Sequence, residues 1–181
     1  MESNKNYKVI LIMGLLTAIG PLSIDMYLPA FPAIAKSLHT TVSEVTLSLS
    51  SSFIDISAGQ LLYGTLLERF GRKRPLYAGL CFYFLASVGC ALAQSVNGLF
   101  IFRLFPPIGG CVGMVAARAM VRDLFEVKEN AKVFSMLMLV VSVSPIIAPT
   151  VGGYITAALG WRYVFAMLIF VVLVILAGTL Y

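Results

Sequence analysis

Between residues 64 and 74 the chain reads Gly64-Thr65-Leu66-Leu67-Glu68-Arg69-Phe70-Gly71-Arg72-Lys73-Arg74, with an apolar run on either side. The upstream run covers about residues 45–67 and the downstream run about 75–94. Each is long enough to cross a hydrocarbon core of about 30 Å as a helix. A basic link this short makes the two runs antiparallel neighbours and pins their junction at one membrane face.

The same alternation continues outward. Further apolar runs fall at about residues 9–30, 98–122, 133–159 and 162–181. Lipid offers no hydrogen-bond partner to a backbone, so each run is expected to be a helix. Composition agrees: of 181 residues, 60% are hydrophobic and only 12% charged, against about 25% charged in soluble domains. The expected fold is therefore all-α, a polytopic membrane helix bundle of six crossings filling residues 1–181. The opening, with Lys5 and Lys8, has the look of a signal peptide, but the run is too long and contains Asp25, which makes it a retained first helix. The sixth run ends at Tyr181 without a charged stop, so the chain reads as a piece of a longer protein.

The net charge of +5 does not imply nucleic acid, because the basic residues are divided among short links and form no continuous face. They order the topology instead. Lys5, Lys8, Arg69, Arg72, Lys73, Arg74, Arg118, Arg122, Lys128 and Lys132 fall on one face, and only Lys36 and Arg162 on the other. The positive-inside rule puts the larger set, and both chain ends, in the cytoplasm. Trp161 and Tyr163 beside Arg162 are expected to anchor the outer interface. Cys81, Cys90 and Cys111 lie in apolar runs with no CxxC pair and no nearby histidine, which points to packing rather than a disulfide frame or metal site.

Three ionisable residues fall inside the runs: Asp25, Asp55 and Arg103. Each costs about 2.5–3.5 kcal/mol near a helix centre on insertion scales, so such residues face protein or water. Counted from the expected outer helix ends, Asp25 and Arg103 lie about 7–8 Å deep. Helical periodicity groups Gly14, Ala18, Pro21 and Asp25 on one face, Arg103, Pro107, Gly110 and Met114 on another, and Ser48, Ser52, Asp55 and Gly59 on a third. The expectation is that these stripes line one cavity, with Asp25 as the proton-titrating carboxylate and Arg103 close enough to alter its proton affinity. Small residues recur at Gly109 and Gly113, and at Ser144, Ala148 and Gly152, as in close helix contacts.

Residues 64–74 resemble the signature of the major facilitator superfamily: a glycine, an acidic residue, then Arg-x-Gly-Arg-Lys-Arg at a cytoplasmic link. Pro21-Leu-Ser-Ile-Asp25-Met-Tyr-Leu-Pro29-Ala30 is similar to the first helix of the Bcr/CflA drug-resistance branch. Ala148-Pro149-Thr-Val-Gly152-Gly153 is similar to the fifth-helix motif of drug:proton antiporters, and Trp161-Arg162-Tyr163-Val-Phe165 to that branch's entry into the sixth helix. The resemblance implies the amino-terminal six-helix half of a twelve-helix transporter working by alternating access. It implies export of chloramphenicol- or bicyclomycin-like drugs from the cytoplasm across a bacterial inner membrane. The proton gradient would be the energy source, with no cofactor. The expected partners are drug, protons, bilayer and a carboxy-terminal six-helix half.

In the family the basic link acts as a conformational latch, so Gly64, Glu68, Arg69, Gly71, Arg72 and Arg74 are expected to form one here, with Arg69 or Arg72 pairing Asp123. Glu68 would contact the other half. Departures are Glu68 in place of aspartate, Thr65 in place of proline, Pro106-Pro107 in the fourth helix, and Asp55 where the branch has a small residue.

Three other readings compete. A carrier of a metabolite or sugar would have the same fold and differ only in its cavity. An enzyme would need clustered ligands or a nucleophile with its base, and His39, the sole histidine, has nothing gathered around it. A channel or scaffold would not need the latch-like link.

Overall fold

The computed structural model describes the backbone of residues 2–180 and their side chains apart from those of residues 2–8, 51, 54, 107, 127 and 180. Tyr181, and the side chains of Lys5, Lys8 and Pro107, thus lie outside the described residues. The chain is helical almost throughout: α1 (Glu2–Asp25), a 3-10 turn (Leu28–Ala30), α2 (Phe31–Ser37), α3 (Val42–Phe70), α4 (Lys73–Leu92), α5 (Val96–Leu124), α6 (Val127–Ala158) and α7 (Arg162–Leu180). Short links join them. α5 sits at the centre, packed on α4, α3 and α1, while α1 also meets α6 and α7, and α4 meets α7.

By length and composition, five segments among the described residues are apolar enough to cross a membrane: Val9–Ser37, Lys73–Leu92, Val96–Leu124, Lys128–Ala158 and Arg162–Thr179. The expected second crossing forms a helix of 29 residues, about 43 Å long, and is not among these five. Its hydroxyls turn back onto their own helix. Ser48 donates to the Val45 carbonyl, Ser52 to Ser48 and Ser57 to Phe53, which satisfies them without water.

The first run was expected as one helix over residues 9–30. Instead α1 stops at Asp25, and helical backbone resumes through the 3-10 turn and α2 to Ser37. Pro29 has no N–H to donate to the Asp25 carbonyl four residues back, so the α ladder stops there, while Pro32 sits in the first turn of α2, where its missing N–H costs nothing. The apolar segment therefore extends well beyond Asp25, and α5 begins at Val96, so Arg103 lies about 10 Å along it. Counted along its own helix, Arg103 therefore stands further from the helix start than the roughly 7–8 Å expected, whereas Asp25 ends α1. Pro106 lies well inside α5 rather than in its first turns.

Close crossings occur where small residues stand. A Cβ on Gly109 would come within 2.6 Å of the Gly79 carbonyl oxygen, and one on Gly113 within 2.4 Å of the Leu16 carbonyl oxygen. At Gly152 the Met26 carbonyl oxygen would be 2.3 Å away. α6 thus lies directly against the broken end of α1.

Two surface expectations need correction. Trp161 is only 5% exposed and packs edge-on against Phe165, ring centroids 6.1 Å apart, so of the expected outer pair only Tyr163 is exposed. Arg162 stacks on Trp161 and donates to the Ala93 carbonyl at 2.9 Å, satisfying the end of α4. Cys90 and Cys111 are buried, whereas Cys81 is exposed on this chain.

Candidate functional site

The break in α1 opens a cavity of about 350 Å³ between α1, α3, α4, α5 and α6. Asp25 and Arg103 both line it, with Pro21, Gly110 and Met114 from the expected stripes. Ser52 is the one member of the α3 stripe on its wall; Phe53, Ile56 and Gln60 complete that side. The rest of the α3 stripe goes elsewhere. Ser48 bonds Tyr27, and Gly59 abuts Cys111 and Ile108 of α5. Asp55 lies outside the cavity lining, with one carboxyl oxygen buried and without a hydrogen-bond partner.

Arg103 is 3% exposed. Its guanidinium carbon lies over the Tyr27 ring, 3.4 Å from the centroid, with the Phe165 centroid at 5.6 Å. It donates to the Ser23 carbonyl at 3.2 Å, while its Nε has no partner. A cation over an aromatic face with water excluded is stabilised by roughly 2 kcal/mol, which helps to hold this charge without a carboxylate. Among the described residues no ion pair joins Arg103 to Asp25; the one ion pair is Arg72–Asp123.

Tyr83 donates to Ser23 Oγ at 3.0 Å. Ser48 Oγ gives its proton to the Val45 carbonyl, which leaves Tyr27 as donor in the 3.1 Å Tyr27–Ser48 bond. The broken end of α1 is thereby tied to α3, α4 and α5 at once.

Tyr27, Tyr83, Ser23 and Gln60 were not foreseen in the sequence. Gln60 and Tyr83 carried a usable signal, since each is a polar tip inside an apolar run. Tyr27 did not, because its inward direction depends on the break.

At the other end, α3 stops at Gly71, whose φ of 78° favours a residue without a Cβ. Gly64 has open space beside it among the described residues. Arg72 then meets Asp123 of α5, Nε to Oδ2, at 2.8 Å, and donates to the Leu67 carbonyl at 3.3 Å. The pKa of Arg72 is raised above the ordinary arginine value, first by the hydrogen bond to Asp123; the charges of Asp123 and Glu68 add to it, and partial desolvation opposes it. Arg69 instead stacks on Phe70 at 5.5 Å, and Glu68, Arg69 and Arg74 are exposed. In the α6 motif, Gly152 is buried against Met26, and a Cβ on Gly153 would meet Pro29 Cβ at 3.6 Å.

The family described as Major Facilitator Superfamily matches residues 13–181. An uncharacterized MFS-type transporter, YdgK, of Bacillus subtilis is 40% identical over 80% of this chain and 36% of its own length. A chloramphenicol resistance protein of Pseudomonas aeruginosa is 33% identical over 92% of this chain and 42% of its own. A bicyclomycin resistance protein homolog of Haemophilus influenzae is 32% identical over 91% of this chain and 41% of its own. The chain thus spans less than half the length of these relatives. In fold it is similar to the proton:xylose symporter XylE, with a TM-score of 0.85 over 98% of this chain and 44% of that one, at 18% identity. The chain belongs to the Major Facilitator Superfamily of transporters, in its Bcr/CflA-type group.

Proposed function

We propose that this chain forms the amino-terminal half of a drug:proton antiporter in a bacterial inner membrane, with its amino terminus in the cytoplasm. The carboxy-terminal half would close the cavity from the other side. Asp25 takes up a proton when substrate leaves and releases it when substrate binds, and no cofactor takes part. The observation that carries this reading is that Asp25 and Arg103 line one cavity without forming an ion pair. The carboxyl is left available to a proton or a substrate. Relatives named as chloramphenicol, bicyclomycin and multidrug resistance proteins support drugs as cargo. The likeness to a sugar symporter bears on the fold alone.

Arg72, Asp123 and the exposed Glu68 and Arg69 then serve as a latch: one set of contacts between the α3–α4 link and α5 that can form in one state and part in another. Transport by the full-length protein in proteoliposomes tests the reading. Asp25→Asn is expected to abolish export driven by a pH gradient, and unchanged export would remove Asp25 from the mechanism.

A further inference from the structure

Most polar groups on the cavity wall are already engaged within the protein. Ser52 donates to the Ser48 carbonyl, Tyr83 donates to Ser23, and the Cys111 thiol is directed to the Ile56 carbonyl. Arg103 is held by the Tyr27 ring and the Ser23 carbonyl, and its unpartnered Nε is buried out of a ligand's reach. The Asp25 carboxyl and the Gln60 amide remain, and neither side chain bonds another described residue.

These two groups stand at different levels of the cavity. Arg103 bonds the carbonyl of Ser23, two residues before Asp25, so Arg103 and the broken end of α1 share a level. Gly59, next to Gln60, abuts Ile108 and Cys111 of α5, which lie about 8–12 Å further along that helix than Arg103. Phe53 and Ile56 precede Gln60 on one face of α3 and line the cavity with it. The wall thus offers a carboxyl near one end, an amide towards the other and apolar side chains between. A carboxylate only accepts hydrogen bonds, whereas a glutamine amide also donates them. A site that hydrogen-bonds its ligand rejects an analogue lacking the partner group, because the protein's own polar group is then left unpaired.

We propose that Gln60 is a specificity-determining residue, its amide binding the end of the substrate remote from Asp25. The cavity then selects elongated, largely apolar molecules that carry an O–H or N–H donor at the Asp25 end and a hydrogen-bond acceptor at the Gln60 end. This rests on the drug:proton antiport reading above and names the substrate chemistry of the same site.

The probe is chloramphenicol, whose hydroxyls and amide N–H form a donor end and whose nitro group forms an acceptor end. Its transport by the full-length protein in proteoliposomes is compared with that of the analogue bearing hydrogen in place of the nitro group. Loss of one hydrogen bond corresponds to about 2- to 10-fold in affinity. Gln60→Leu is expected to raise KM for chloramphenicol by that factor at the parent's maximal rate, with Gln60→Asn recovering part of it. For the analogue without the nitro group, Gln60→Leu is expected to leave KM as in the parent. An unchanged KM for chloramphenicol, or an equal rise for both compounds, overturns the proposal. Absence of pH-driven chloramphenicol transport by the wild type overturns the reading on which it rests.

Maleimide labelling of Gln60→Cys, read at residue 60 by mass spectrometry, keeps the proposal testable if the leucine variant fails to fold. Labelling that chloramphenicol suppresses supports it. Labelling indifferent to the drug refutes it, as does a residue 60 that never reacts because the carboxy-terminal half covers it.

Discussion

Gly152 offers the sharpest test of how α6 is set against the broken end of α1. A Cβ there would sit 2.3 Å from the Met26 carbonyl oxygen and 2.8 Å from Met26 Cα, both backbone atoms that cannot swing aside. Helix propensity alone favours alanine over glycine by about 1 kcal/mol. Relieving the overlap requires the backbone to move, and overpacking of this kind costs about 1–3 kcal/mol, occasionally more. The contact should therefore win, and Gly152→Ala should lower the thermal midpoint of the full-length protein in detergent. It should also cut transport, because Met26 lies beside Asp25 and Tyr27. Two controls separate contact from propensity. At Gly153 the nearest atom would be Pro29 Cβ at 3.6 Å, an ordinary contact, and at Gly64 nothing lies within 4 Å. Gly153→Ala should hold or raise the midpoint, as propensity alone predicts, and Gly64→Ala should not lower it through any contact within this half. A Gly152→Ala midpoint equal to or above wild type, with transport intact, would refute the close approach.

Arg103→Lys should fail to support transport, because an ammonium lacks the planar fork that donates to the Ser23 carbonyl while stacking on Tyr27; transport assays on folded protein check this. Tyr27→Phe should lose the bond to Ser48 and about 0.5–1.5 kcal/mol, read as a lower unfolding midpoint with the ring contact to Arg103 retained. Reversing Arg72 or Asp123 singly should impair transport and reversing both should restore part of it; failure of the double reversal would argue against their direct pairing.

The membrane character of the chain and its division into long helices could be read from apolar runs punctuated by charges, because lipid leaves a backbone few choices. The Arg72–Asp123 pair could be anticipated from its motif. Other features depended on tertiary context. Residues 9–30 carry no charge apart from Asp25, so the prolines at 29 and 32 were the sign that α1 would stop early and turn Tyr27 under Arg103. Periodicity counted along an unbroken helix could not find that contact. On α3 a single stripe was expected to face the cavity, whereas the helix divides it: Ser52 on the cavity, Ser48 on Tyr27, and Gly59 on α5. Trp161 next to Arg162 suggested an interfacial ring, but the indole packs on Phe165 and only the arginine reaches back to cap α4.

The central claim is that drug and proton compete for one carboxyl in the cavity beside Arg103. The most direct measurement is proton release from unbuffered, purified full-length protein when drug is added. The account predicts release by the wild type across a range of pH and none from Asp25→Asn. Equal release from both proteins would contradict it.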